Sequence, residues 1–160
     1  MYLGFKLLHV LAVIAFLGNI TTGVFWKAIA DRTGDRSIVA HTVRDIMRSD
    51  RFITVPSIVL LLVGGFGAAG AAGYSILGTG WIVWALGLFI ISGLAFIPVA
   101  RSQQAMVAAA EAPVDGDPLA SEPYRRASQT WALWGLVATV APVAAAVIMI
   151  LKPALPSFPR

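Results

Sequence analysis

Apolar residues run almost unbroken through four stretches, residues 2–26, 52–76, 81–100 and 130–151, and the charged residues fall between them. A helix rises 1.5 Å per residue, so about 20 mostly apolar residues cross the ~30 Å hydrocarbon layer of a bilayer. Each stretch reaches or approaches that length. The pattern therefore predicts an all-α fold, a four-helix transmembrane bundle forming one integral membrane domain over residues 1–160. The first run stays apolar from Leu7 through Trp26, broken only by His9, Asn19 and two threonines. A basic segment follows it rather than a small-x-small cleavage pattern, so it reads as a retained span and not a signal peptide. Between the first two runs, Ile38, Val39, Thr42, Ile46 and Met47 recur near helical spacing, with Arg36, Arg44, Asp45 and Arg48 elsewhere. This predicts a short amphipathic helix over residues 37–49, lying on the inner membrane surface. Residues 112–123, rich in Pro, Asp and Ala, predict an irregular loop.

Composition sharpens the picture in two ways. Hydrophobic residues make up 58% of the chain and charged residues 12%, against about 25% charged in soluble domains. Cysteine is absent from the sequence, which removes disulfides, thiolate metal sites and a Cys nucleophile from consideration. The net charge of +4 does not point to nucleic acid, because nine of the twelve Lys and Arg sit in two loops beside spans. Lys27, Arg32, Arg36, Arg44, Arg48 and Arg51 lie in one loop and Arg101, Arg125 and Arg126 in the other, with Lys6, Lys152 and Arg160 on the opposite side. By the positive-inside rule the two charged loops are expected in the cytoplasm and both termini outside. Tyr2, Trp26, Tyr74, Trp81 and Trp131 mark the expected interfaces.

Lipid tails do not drive apolar helices together, so a bundle depends on close backbone approach and on polar contacts. The second run supplies small residues four apart at Gly65, Ala69 and Gly73, beside a strip of Gly64, Ala68 and Ala72. This predicts packing within the bundle, or a homo-oligomer or membrane-protein partner through Gly65, Ala69 and Gly73. Pro56 sits near the start of its span, whereas Pro142 lies in mid-span, where it bends a helix.

Chemistry has few bearers inside the spans: Lys6, His9 and the neutral Asn19. Tyr2, His9, Phe16 and Gly23 share a helical face that the pattern directs into the bundle. His9 lies roughly 10 Å inside Tyr2, and a neutral imidazole there suits an axial haem ligand, a metal ligand or a proton relay, or equally a packing histidine that only hydrogen-bonds a backbone carbonyl or a neighbouring hydroxyl. His41 cannot join it, since the helix from His9 to Trp26 alone spans roughly 25 Å. Met149, at similar depth in the last span, is the better-placed second ligand, with Lys6 a further candidate. The expected cofactor is haem b, held by His9 with Met149, Lys6 or a residue of a partner protein opposite. Catalytic residues are not assigned and enzymatic activity is left open. Hydrolase, zinc-protease and phosphate-loop motifs are absent from the sequence, as are carboxylates within the four runs.

Three segments carry a resemblance. Residues Tyr2-Leu3-Gly4-Phe5-Lys6-Leu7-Leu8-His9-Val10-Leu11, then Trp26-Lys27-Ala28-Ile29-Ala30-Asp31-Arg32-Thr33, then Ser49-Asp50-Arg51-Phe52-Ile53-Thr54-Val55-Pro56-Ser57 resemble a bacterial family of predicted four-span membrane proteins of unknown function. The likeness covers the chain to about Ala72 closely and the rest by its span pattern. More distantly, the Lys6-x-x-His9 opening is similar to HemJ-type protoporphyrinogen oxidases and to copper-resistance membrane proteins. The former likeness implies haem bound through His9. Those oxidases also use basic positions inside the third span, where this chain has only Arg101, at the end of the run. The expected functions are thus a haem-binding redox membrane protein, a non-catalytic accessory subunit of a larger complex, or a small-solute or metal transporter.

Overall fold

In a computed structural model the residues described are 1–113 and 116–158. Positions 114 and 115 of the expected loop, and Arg160 of the charge count, lie outside them. Helix α1 (Tyr2–Thr33) ends where Gly34 takes the left-handed conformation, φ 65° and ψ 5°. Helix α2 (Arg36–Ser49) starts at once, its first N–H groups from Ser37 and Ile38 donating to the Asp35 carboxylate. Helix α2 then passes without a break through a π-helical turn, Asp50–Thr54, into α3 (Val55–Ala71). Pro56 cannot donate to the turn before it, and that turn is the π-helical one, where the Val55 N–H donates to the Asp50 carbonyl. Gly73, at φ 74°, closes α3 with the Tyr74 N–H donating to the Ala69 carbonyl. Helix α4 (Gly80–Glu111) and α5 (Glu122–Leu151) are joined by a short 3-10 turn, Pro118–Ala120.

Four helices are long and apolar enough to cross a membrane. Only 17% to 28% of their most apolar windows is buried within the protein, so the remaining apolar surface belongs against lipid rather than water. All four outrun a bilayer, α1, α4 and α5 by themselves and the other as α2 running on into α3. Helices α1 and α4 have 32 residues each, about 48 Å, which exceeds the hydrocarbon layer by roughly 18 Å. The apolar runs therefore underestimate the helices at the loop end: α4 continues from Ala100 to Glu111, and α5 begins at Glu122 instead of 130. Those extensions are rich in Ala and other good helix formers, which hydropathy alone does not register.

The extensions also revise the expected place of the amphipathic helix. Val39, Ala40, Val43 and Ile46 of α2 are buried, and the first three pack with Ala30, Met106, Ala109, Ala110, Tyr124 and Ala127 from α1, α4 and α5. The apolar face of α2 is thus covered by protein and does not lie on the membrane surface. The reason is energetic: with three helices projecting beyond the bilayer, a protein wall was available to bury that face.

The bundle consists of two helix pairs, α1 with α3 and α4 with α5. At the loop end α2 and the π-turn tie the pairs together, whereas α1 and α5 touch only sparsely. Within the second pair, Pro142 sits inside α5 and is buried. A proline cannot donate to the carbonyl four residues back, here Ala138, and an unpartnered carbonyl in a membrane interior costs several kcal/mol. Ser92 of α4 meets the demand, its hydroxyl donating to the Ala138 carbonyl at 2.7 Å. Ser92→Ala is expected to destabilise the protein by about 1–3 kcal/mol in thermal unfolding in mild detergent. In a Pro142→Ala background, where α5 recovers its own donor, the same substitution is expected to cost far less; an equal loss in both backgrounds would break this account.

Candidate functional site

Where the two helix pairs diverge, towards the end that carries the chain termini, they enclose a cavity of about 550 Å³. Its floor is set by Phe16 and Phe89, whose rings lie 6.0 Å apart, and by Pro142. Apolar residues such as Val13, Leu62 and Ala145 make the walls, and Val10, Ile14 and Ile150 line it while also reaching the outer surface. The rim is polar and aromatic. Lys152, in the left-handed conformation that ends α5, holds its ammonium 5.6 Å from the Tyr74 ring and 5.2 Å from the Trp81 ring. Across the rim, Lys6 lies 5.9 Å from the Tyr2 ring.

His9 lines this cavity, and its orientation is fixed from α3. Its Nδ1 lies 2.8 Å from the Leu61 carbonyl oxygen. A carbonyl only accepts, so Nδ1 carries the hydrogen and Nε2 of the neutral ring keeps its lone pair. Among the described residues no group hydrogen-bonds Nε2. The approach depends on two glycines. A Cβ at Gly65 would lie 3.0 Å from His9 Nδ1, and one at Gly64 would lie 2.7 Å from the His9 backbone nitrogen.

Of the residues expected from the sequence, His9, Met149 and Lys6 all line this one cavity. His41 lies apart on α2, exposed and 3.1 Å from Asp45. The expected interior stripe on α1 is present: His9 is half-buried, Phe16 and Gly23 are buried, and it continues through Lys27 to Ala30. The small-residue stripe of the second run is spent differently from the simplest expectation. Gly64 and Gly65 meet His9 of α1, Gly67 faces the Phe5 ring, and Gly73 lies past the helix in a turn. No cluster of three or more His, Asp, Glu or Cys able to hold a metal ion occurs among the described residues.

Beneath the cavity floor is a polar cluster that hydropathy did not reveal. Asp50, only 8% exposed, accepts hydrogen bonds from Asn19 at 3.2 Å, Thr54 at 3.1 Å and Gln103 at 3.1 Å. Asn19 also donates to Thr54 Oγ1 at 2.9 Å. Further towards the loop end, Lys27 is 2% exposed, although its position after the first run suggested a loop. Its ammonium bonds to Asp31 at 2.5 Å and Ser128 at 3.1 Å and lies over the Tyr124 and Trp131 rings. The Tyr124 hydroxyl donates to the other Asp31 oxygen at 2.9 Å. Asp50 and Lys27 were legible only as loop charges, because each stands beside an apolar run and not within it. The faint signal was their spacing: Asp50 is one turn from Thr54, and Lys27 one turn beyond Gly23 on the interior stripe.

The family described as a predicted integral membrane protein, DUF2269, matches residues 3–153. No curated protein and no solved structure matches the chain. The chain belongs to that family.

Proposed function

We propose that this member of the DUF2269 integral membrane family binds haem b in the cavity between its helix pairs, with Nε2 of His9 as axial ligand, in an electron-transfer role. The observation that carries the reading is the bond from His9 Nδ1 to the Leu61 carbonyl. Ligating histidines characteristically donate their second ring N–H to such a group, which fixes the tautomer and strengthens the ligand. The cavity supports it too, since cofactor pockets run about 300–1,000 Å³ with mostly apolar walls and a few polar groups. A single imidazole is a poor site for a bare ion, but it suffices for iron already held by a macrocycle, which favours haem over copper. Lys6 and Lys152 stand where acidic substituents of a bound porphyrin would meet water, and Met149 is the candidate for the second axial position. Haem would supply one-electron chemistry, while the protein sets polarity and access.

The same reading places the protein in a bacterial inner membrane with both termini outside, supported by the nine-to-three distribution of Lys and Arg between loop and terminal sides. The test is the absorption spectrum of protein purified in mild detergent from cells supplied with haem. Wild type is expected to show a Soret band at one haem per chain, His9→Ala to lose it, and Met149→Ala to keep it with an altered reduced spectrum. A wild-type protein that takes up no haem, or whose cavity retains phospholipid under saturating haem, would overturn the proposal.

A further inference from the structure

Among the described residues, no cation pairs with the buried Asp50 carboxylate. Its hydrogen-bond donors, Asn19 on α1, Thr54 in the π-turn and Gln103 on α4, are neutral. The charged groups on the surrounding elements are engaged or turned away. On α1, Lys27 bonds to Asp31. On α2, Arg48 bonds to Asp45. Arg51 and, on α4, Arg101 are exposed, and on α5 Arg125 and Arg126 pair with Glu122.

Beside Asp50 lies a second, smaller cavity of about 30 Å³, lined by Asn19, Gln103, Thr139 and Trp131 among others. A single water needs at least about 10–15 Å³ and two to four polar partners. The Trp131 ring is 9% exposed, and its Nε1 is buried with no hydrogen-bond partner among the described residues. An indole N–H only donates, so it calls for an oxygen acceptor in that space. A metal cation would face the positive end of this N–H, and an anion would face Asp50. Neutral water suits both. It can accept from Trp131 and donate to the Asp50 carboxylate, or turn and accept from the protonated acid. With the amides of Asn19 and Gln103 donating, the water gives the acid form an oxygen acceptor besides the Thr54 hydroxyl.

We propose that Asp50 is a proton-binding site, and that a single internal water held by Trp131 Nε1 lets it exchange between its two protonation states. The π-turn Asp50–Thr54 is the local device that sets the carboxylate between α1 and α4; such turns recur at functional sites. The site does not depend on what fills the His9 cavity, so the two proposals fail separately.

The experiment is acid-minus-alkaline infrared difference spectroscopy of the full chain in lipid nanodiscs, from about pH 4 to about pH 9. A carboxylic C=O band is expected that titrates in this range and is absent in Asp50→Asn. Trp131→Phe keeps an aromatic face beneath Lys27 but removes the indole N–H. It should shift the band and move its midpoint upward by about half a unit or more, since the carboxylate loses a polarised donor. If Asp50→Asn does not fold, the Trp131→Phe shift alone decides the assignment. Absence of the band in wild type, or a band unchanged in Trp131→Phe, overturns the proposal. So does a midpoint that falls as Na⁺ or K⁺ is raised, which would make the site one for a metal cation.

Discussion

Gly64→Leu is expected to force α1 away from α3 and destabilise the protein by about 3 kcal/mol or more, with loss of whatever ligand His9 holds. A Cβ at this position would lie 2.7 Å from the His9 backbone nitrogen and 2.9 Å from its Cα. Backbone atoms cannot rotate aside as a side chain can, so the helices must separate. Separation draws the Leu61 carbonyl away from His9 Nδ1 and frees the ring. Gly64→Ala should show the same effect at about 1–3 kcal/mol. Gly70 provides the internal control, because a Cβ there meets nothing within 4 Å. Gly70→Ala should be neutral or stabilising by up to about 1 kcal/mol, from helix propensity. Thermal unfolding in mild detergent, followed by tryptophan fluorescence, measures all three. Equal stabilities for the Gly64 and Gly70 variants would mean that α1 and α3 are not in this contact.

The Lys27–Asp31 pair should be markedly asymmetric. Asp31→Asn is expected to cost about 3–5 kcal/mol, because the ammonium left behind is buried without a counter-charge. Lys27→Met, which keeps the apolar stem against Tyr124 and Trp131, should cost about 1–2 kcal/mol. Its abandoned partner is the half-exposed Asp31 carboxylate, with 39% of its side chain exposed, which water and the Tyr124 hydroxyl can still satisfy. The combined variant should be close to Lys27→Met alone, since it removes the buried charge altogether. The same unfolding assay decides the order. If Lys27→Met proves the more damaging, the ammonium's aromatic contacts outweigh its charge pairing.

The spans and the interior-facing stripe that carries His9 could be read from the sequence because each rests on a local rule. Hydropathy marks the four runs, and heptad spacing places His9 on the same face as Phe16. Depth along the first and last spans was enough to expect Met149 at the level of His9, and both line the one cavity. The helix ends beyond the bilayer could not be read from hydropathy: residues 101–111 carry Ala, Gln and Arg without a strongly apolar face, and their helix rests on propensity together with burial against α2 and α5. Asp50, Gln103 and Trp131 are brought together by three different elements, a meeting that no spacing along one chain segment encodes. The role of Ser92 was equally hidden, because its demand arises from Pro142 on another helix.

The diverging helix pairs have a consequence for how any guest is counted. Val10, Ile14 and Ile150 belong both to the cavity lining and to the outer apolar surface, so the chamber has a side door facing acyl chains. A guest that enters there exchanges with lipid and need not cross an aqueous phase. Its occupancy should follow its mole fraction in the bilayer, and diluting the protein into more lipid should empty the chamber even when the bulk concentration of guest is unchanged.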